Sequence, residues 1–304
     1  MRHRLGNESM QKKQGYLITA YKDFAAVYEL ALILSQEDRV FIHVDAKSRE
    51  IGSRELEKLN EIPGCTAFSR YTIAWGGYTH IQAFLSLMEL ALRVKDICYL
   101  HFLTGEDFPV KSPLAIHDRF IDEKHLYLSY IEEADFNEAV RKRYLYYNLF
   151  QNRNVKNPFL WQLQNLTVGI QKLCGIRRER LGEFTDIYKG LVYISMPVSA
   201  AADVLSYIKT HPEYEKDLYR CQLPEEFFFH TLFLNECFCN GKWKRLTIDR
   251  ELRYMDWKRG DGGSPVYLSD RDYESIAKGD YYFARKFHGK ESQKLKKRIM
   301  RELW

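Results

Sequence analysis

No stretch of this 304-residue chain stays apolar over the ~20 positions that a bilayer-crossing helix needs. The opening Met1-Arg2-His3-Arg4-Leu5-Gly6-Asn7 is basic, but the apolar run of a secretory signal does not follow it. The expectation is therefore a cytoplasmic protein. Metal-ligand spacing is also missing. The six cysteines (Cys65, Cys98, Cys174, Cys221, Cys237 and Cys239) are scattered, and Cys237-x-Cys239 lacks the second half of a zinc site. Buried free thiols in a reducing compartment are expected instead. The sequence has no internal repeats and no linker rich in Gly or Pro, which excludes solenoids and favours one unit over 1–304.

Hydrophobic content of 45% and charged content of 29% are ordinary for a globular chain. The net charge of +5 is unevenly spread. Nine Lys/Arg and one acid lie between Arg141 and Arg180, and residues 290–304 carry six basic and two acidic side chains. These regions hold +8 and +4 and leave −7 on the rest of the chain. Two basic surfaces on an acidic body point to a specific anionic partner.

Tyr16–Ala20 and Val40–Val44 read as buried strands, each followed by an acid, Asp23 or Asp45. Asp23 is placed to cap a helix bearing Phe24, Val27, Ala31 and Leu34. Thr79 is placed to cap one bearing Ile81, Phe84, Leu85, Met88 and Leu92. Cys98–Leu103 is another strand, running into Gly105-Glu106-Asp107-Phe108-Pro109. Strands alternating with helices predict an α/β fold with a mainly parallel, doubly wound sheet. Ligands of such sheets sit beyond the carboxyl ends of the strands, where Asp45, Trp75 and Glu106-Asp107 would converge. Residues 131–187 break the rhythm and read either as an insertion over the site or as a plain structural subdomain. Its helix carries Phe159, Leu163, Leu166, Ile170 and Leu173 on one face.

Glu226 falls early in a helix reading Glu-Glu-Phe-Phe-Phe-His-Thr-Leu-Phe-Leu. There the helix dipole favours its charge and apolar neighbours disfavour it, the balance wanted of a general base. Initiation of the helix is the alternative role for the two glutamates. Arg285 and Lys286 follow an aromatic run and suit a departing diphosphate, or else form a solvated charge pair.

Taken in order, the blocks Tyr16–Phe24, Ile42–Ser48, Trp75-Gly76-Gly77, Leu103–Ser112, Pro224–Phe228, Leu252–Trp257 with Ser264-Pro265, and Phe283–Phe287 resemble the core-2/I-branching N-acetylglucosaminyltransferase family, which includes protein xylosyltransferases. The resemblance covers residues 15–120 and 190–288. It implies a GT-A-type fold and inverting transfer from a UDP-sugar, with no cofactor and no divalent metal because basic side chains neutralise the diphosphate. By the same resemblance Glu226 is the base, and Lys286, with Arg285, holds the diphosphate. Asp45 and Trp75 lie by the uridine and its base, Ile18 and Ala20 line the nucleotide pocket through their backbone, and Asp107 contacts the donor or orients the site. Trp257 stacks on the acceptor sugar, with Arg259 beside it.

The family's G-S-x-W reads Gly190-Leu191-Val192-Tyr193 here, and Ala115 replaces an acceptor-binding acid. Its second diphosphate cation aligns near Gly263, leaving Arg253, Arg259 or Arg285 to substitute. The lack of a Golgi anchor and paired cysteines suggests a bacterial member that builds a surface glycan. Two rival readings remain: a polyanion- or nucleic-acid-binding protein using 141–180, and a metal-dependent transferase with Glu106 and Asp107 as ligands. The basic helix at 288–304, with Leu295, Ile299 and Leu303, would either touch the inner face of the membrane, where a lipid-linked glycan acceptor resides, or pack on the body.

Overall fold

The computed structural model describes residues 11–150, 153, 157–260 and 263–304. Within them the strands are β1 (Lys13–Ala20), β2 (Arg39–Val44), β3 (Cys65–Phe68), β4 (Ile97–Thr104), β5 (Asp107–Pro109), β6 (Leu126–Leu128), β7 (Tyr130–Glu132), β8 (Tyr188–Gly190), β9 (Ser195–Pro197), β10 (Thr247–Asp249), β11 (Arg253–Met255) and β12 (Phe283–Arg285). Seven of them form the main sheet in the order β10-β6-β9-β4-β1-β2-β3. All neighbours in it are parallel except β9, which runs antiparallel to β4 and β6. The expected α/β architecture with a mainly parallel sheet is present.

β1 is central and buried on both faces, which is why its sequence is a continuous apolar run and not an alternating one. Leu17 faces one hydrophobic cluster, while Tyr16, Ile18 and Ala20 face another. The chain leaves β1 towards β2 and β3 on one side and returns to β4 on the other. Between β1 and β4 the winding reverses, and at such a point loops part to leave a crevice. Gly105 closes its base: a Cβ there would stand 2.8 Å from Val27 Cγ2, so a larger residue would have to push the first helix's Val27 aside. A smaller sheet, β11-β12-β5, brings the chain's last strand against the Glu106–Pro109 turn.

Asp23 caps the helix Phe24–Leu34 by accepting from Ala26 N at 3.2 Å, and Ser112 caps Pro113–Phe120 by accepting from Ala115 N at 3.2 Å. Thr79 does not cap. It is already inside the helix Thr79–Leu92, and its Oγ1 accepts from Ala74 N at 3.0 Å, closing the Trp75-Gly76-Gly77 turn. The short strands β8 and β9 are separated by Leu191–Ile194. Of the cysteines, only Cys65 and Cys221 are buried, and Cys174 and Cys237 are exposed.

Two amphipathic helices behave differently from each other. The helix Gly289–Glu302 buries Leu295 and Ile299 completely and pairs Lys296 with Glu29. Its apolar edge is thus packed on the body and not presented to a membrane, which corrects the lipid-facing alternative. The helix Pro158–Leu173 does the reverse: Phe159, Leu166, Ile170 and Leu173 face solvent, while Gln171 is buried.

Candidate active site

At the crevice between β1 and β4, Glu106 gathers three cations. Lys22 Nζ lies 2.9 Å from its Oε1, and Arg285 Nη2 and Lys286 Nζ lie 3.5 and 3.9 Å from its Oε2. Burial opposes the Lys22 charge, but hydrogen bonds to Glu106 and Tyr21 outweigh it and raise the pKa of the ammonium. Lys286 also donates to Ser264 Oγ. Three cations facing one carboxylate leave an excess of two positive charges in a partly dry recess, where charge acts more strongly than in water. Arg285 is buried and donates to the Tyr193 hydroxyl.

Of the two roles that the resemblance gives Asp107, contact with the donor or orientation of the site, the geometry fits the second. Its side chain is fully buried, with Oδ1 accepting from Arg253 Nε at 2.7 Å and Oδ2 accepting from Thr104 N at 2.6 Å and Thr104 Oγ1 at 2.9 Å. These bonds occupy its oxygens, so it acts on the site by fixing Arg253 and the turn that carries Glu106, not by touching a donor. Arg253 in turn stacks over Tyr193, its guanidinium carbon 4.3 Å from the ring centroid, and Arg285 lies at 4.5 Å. Tyr193 therefore spaces two arginines that would otherwise repel.

Ile18 is corrected as well. It pairs with Ile42 on one side and Leu103 on the other, so its backbone is committed to the sheet and a nucleotide cannot use it. Ala20 ends β1, and its carbonyl accepts from Asp45 N at 2.8 Å. Asp45 is buried, and its Oδ1 accepts from Lys47 N at 3.0 Å and Ile73 N at 3.2 Å. Burial lowers the His43 pKa to about 4, and the resulting neutral ring accepts from Tyr71 N at 3.0 Å through Nε2. Asp45 and His43 together hold the 70–77 loop, which presents a half-exposed Trp75.

Glu226 is not in an α-helix. Leu223, in the left-handed region (φ 54°), precedes a 3-10 turn Pro224–Glu226, and the α-helix begins only at Phe228. Leu223 N donates to Gly76 O at 3.1 Å, tying this turn to the Trp75 loop. The Glu226 carboxylate meets Arg143 Nη1 at 2.7 Å and Lys189 Nζ at 3.0 Å. Side-chain cations, not a helix dipole, thus set its surroundings. Lys189 and Tyr193 are four residues apart, so at most about 14 Å of chain separates the partner of Glu226 from the partner of Arg285. A cleft of about 370 Å³ opens beside Arg143, lined by Trp75, Tyr146, Trp161, Asn165 and Gln222.

Glu225 is the buried member of the pair. Desolvation pushes its pKa up from 4.5 to about 8, with the Glu226 charge adding to the rise. Between those values the native chain keeps a proton that the unfolded chain releases, so this group lowers stability as pH climbs from 4.5 to 8. Glu225→Gln is expected to raise the unfolding free energy at pH 8.5 by on the order of 3 kcal/mol more than at pH 4.5. Urea titrations at both pH values check this, and equal gains would refute it.

Trp257 is exposed, two residues beyond β11. Arg259 is engaged by Asp256 and Asp272, so its charge is balanced before any ligand arrives. Sequence reasoning missed Arg143, Lys189, Lys22 and Tyr193. Lys22 and Tyr193 lie inside or beside recognised blocks, but Arg143 gave no signal beyond a basic run. Among the described residues no three of His, Cys, Asp and Glu gather as a metal-ligand group.

A family model described as Core-2/I-Branching enzyme matches residues 15–278. A xylosyltransferase of Ciona intestinalis is 25% identical over 272 residues, 83% of this chain and 28% of the relative. Xylosyltransferase sqv-6 of Caenorhabditis briggsae is 23% identical over 226 residues, 73% of this chain and 25% of the relative. The chain thus spans about a quarter of the length of these curated relatives. Among solved structures, the galactosyltransferase LgtC in complex with donor and acceptor sugar analogs aligns with a TM-score of 0.38 at 9% identity, covering 95% of this chain and 94% of that one. The WbbM bifunctional glycosyltransferase aligns at 0.37 and 10%, covering 94% and 47%. Both structural likenesses are too loose to carry weight.

Proposed function

The chain belongs to the Core-2/I-Branching enzyme family, and on that footing we propose that it is an inverting glycosyltransferase using a UDP-sugar donor and a glycan hydroxyl acceptor. The observation that carries the reading is the pairing of two features: three cations at the β1/β4 crevice, and Glu226 on a turn bonded to the Trp75 loop. Glu226 takes the proton of the acceptor hydroxyl as its oxygen attacks the anomeric carbon. The bond from that carbon to the diphosphate breaks, and its electron pair leaves on UDP. Lys22, Arg285 and Lys286 stabilise the charge that gathers there. Arg143 and Lys189 orient the base, and Trp75 and Trp257 offer aromatic faces to sugar or base rings.

Because Glu106 and Asp107 already face cations, a divalent ion would have to displace them, which favours a metal-free mechanism. The xylosyltransferase relatives and the family name make xylose and N-acetylglucosamine the first donors to test. A thermal-shift screen of UDP-sugars with and without EDTA tests the proposal, since a ligand of the native state raises its melting point. Stabilisation by UDP-sugars that persists in EDTA is the expected result. Stabilisation only with added metal would replace it with the metal-dependent reading. Lys286→Ala is expected to weaken UDP binding by roughly 10- to 100-fold, the worth of a charge-assisted contact. Calorimetry showing unchanged affinity would remove Lys286 from the diphosphate site.

A further inference from the structure

The helix Pro158–Leu173 is inside out. Phe159, Leu163, Leu166, Ile170 and Leu173 recur at helical spacing and form one stripe, yet Phe159 is 69% and Leu173 90% exposed, and Leu166 and Ile170 are more than half exposed. The side turned to the protein is polar. Gln171 accepts from Tyr147 N at 2.8 Å and donates to its carbonyl at 3.0 Å, and Gln164 accepts from Leu149 N at 3.3 Å. Glutamines thus hold the helix to the body, and Leu166 and Leu173 stand open to solvent. A water-facing stripe of this kind costs hydrophobic free energy unless another phase covers it.

The charge around the stripe indicates which phase. No acidic residue occurs from Ala139 to Arg178. Beyond the helix, exposed Ile176 is followed by exposed Arg177 and Arg180. Lys142 and Lys172 flank it and share only Glu138. A second copy of this face would bring like charges together, whereas an anionic bilayer supplies both the apolar medium and the counter-charge. Sixteen residues give a helix about 24 Å long, and among the described residues no helix is long and apolar enough to cross a membrane. The suitable position is parallel to the surface.

We propose that the helix Pro158–Leu173 is an interfacial anchor that docks this protein on anionic lipid through its outward apolar stripe. The opposite side of the same helix supplies Trp161, Gln164, Asn165 and Val168 to the 370 Å³ cleft. Docking therefore holds that cleft one helix diameter, ~10 Å, above the bilayer surface, near the headgroup of a lipid-borne substrate. The anchoring is independent of the transfer chemistry and is read by binding alone.

The test is co-sedimentation of the full chain with vesicles of phosphatidylcholine alone or mixed equally with phosphatidylglycerol. Wild type is expected to favour the anionic vesicles, more weakly at high salt. Leu166→Asp/Ile170→Asp should reduce the partition coefficient on the order of tenfold. Lys290→Glu/Lys297→Glu on the C-terminal helix should leave it unchanged. If the first double variant melts early, Leu173→Asp serves in its place, since that side chain is the most open of the stripe. Undiminished sedimentation of the stripe variants overturns the proposal, as does failure of wild type to bind anionic vesicles. Light scattering that shows a dimer dissolved by the same substitutions also overturns it and assigns the face to a second copy.

Discussion

Glu226→Gln is expected to lower turnover by about 10³-fold while leaving the thermal stabilisation by UDP unchanged. The amide keeps the shape of the side chain but cannot accept a proton from an attacking hydroxyl. Donor affinity should persist because the cations assigned to the diphosphate surround Glu106 and not Glu226. Glu225→Gln is the internal control. Its carboxyl is buried and next to Glu226 in the chain, so that variant should retain most activity. Single-turnover assays on both variants separate the roles. Near-normal turnover of Glu226→Gln would place the base elsewhere, and a matching loss in Glu225→Gln would show that the turn matters more than the proton acceptor.

Asp107→Ala is expected to cost about 3–5 kcal/mol, the usual penalty for orphaning a buried charge. Arg253 is buried and pairs with Asp107 at 2.7 Å; its other hydrogen bond goes to the Phe102 carbonyl at 3.1 Å. Removing the carboxylate leaves a desolvated guanidinium next to Arg285, with only the Tyr193 ring between them. Replacing both partners, as in Asp107→Leu/Arg253→Met, removes the unpaired charge and should cost less than the single change. Chemical denaturation of the wild type, Asp107→Leu, Arg253→Met and the double variant closes the double-mutant cycle. A single-variant penalty below about 1 kcal/mol, typical of an exposed ion pair, would refute the assignment of this pair as a structural anchor of the site.

The corrections at the site share one cause. A donor role for Ile18, and one of the two roles open to Asp107, rest on motif position near a strand end, but a motif does not reveal which way a group points or what already satisfies it. In β1, Ile18 has a partner strand on each side, a consequence of the β4-β1-β2 order that no local pattern encodes. Glu226 was expected at a helix start because Phe, Leu and His continue the apolar pattern after it. The left-handed Leu223 and Pro224 instead impose a tight turn bonded to Gly76, a residue 147 positions earlier. Arg143 lies in a run of basic residues that local sequence cannot sort, and only the fold selects it as the partner of Glu226.

The order of apolar runs, Gly turns and caps was enough to establish alternating strands and helices, a parallel sheet and the blocks that mark the family, because these depend on spacing along the chain. The inside-out helix shows where that logic ends. Its periodicity was plain in the residues, but which side met the body was settled by glutamine hydrogen bonds to the backbone at Tyr147 and Leu149. The grouping of Lys22, Glu106, Arg285 and Lys286 likewise joins segments far apart in sequence. It exists because the winding reverses between β1 and β4, and charge interactions depend on distance through space, not on position along the chain.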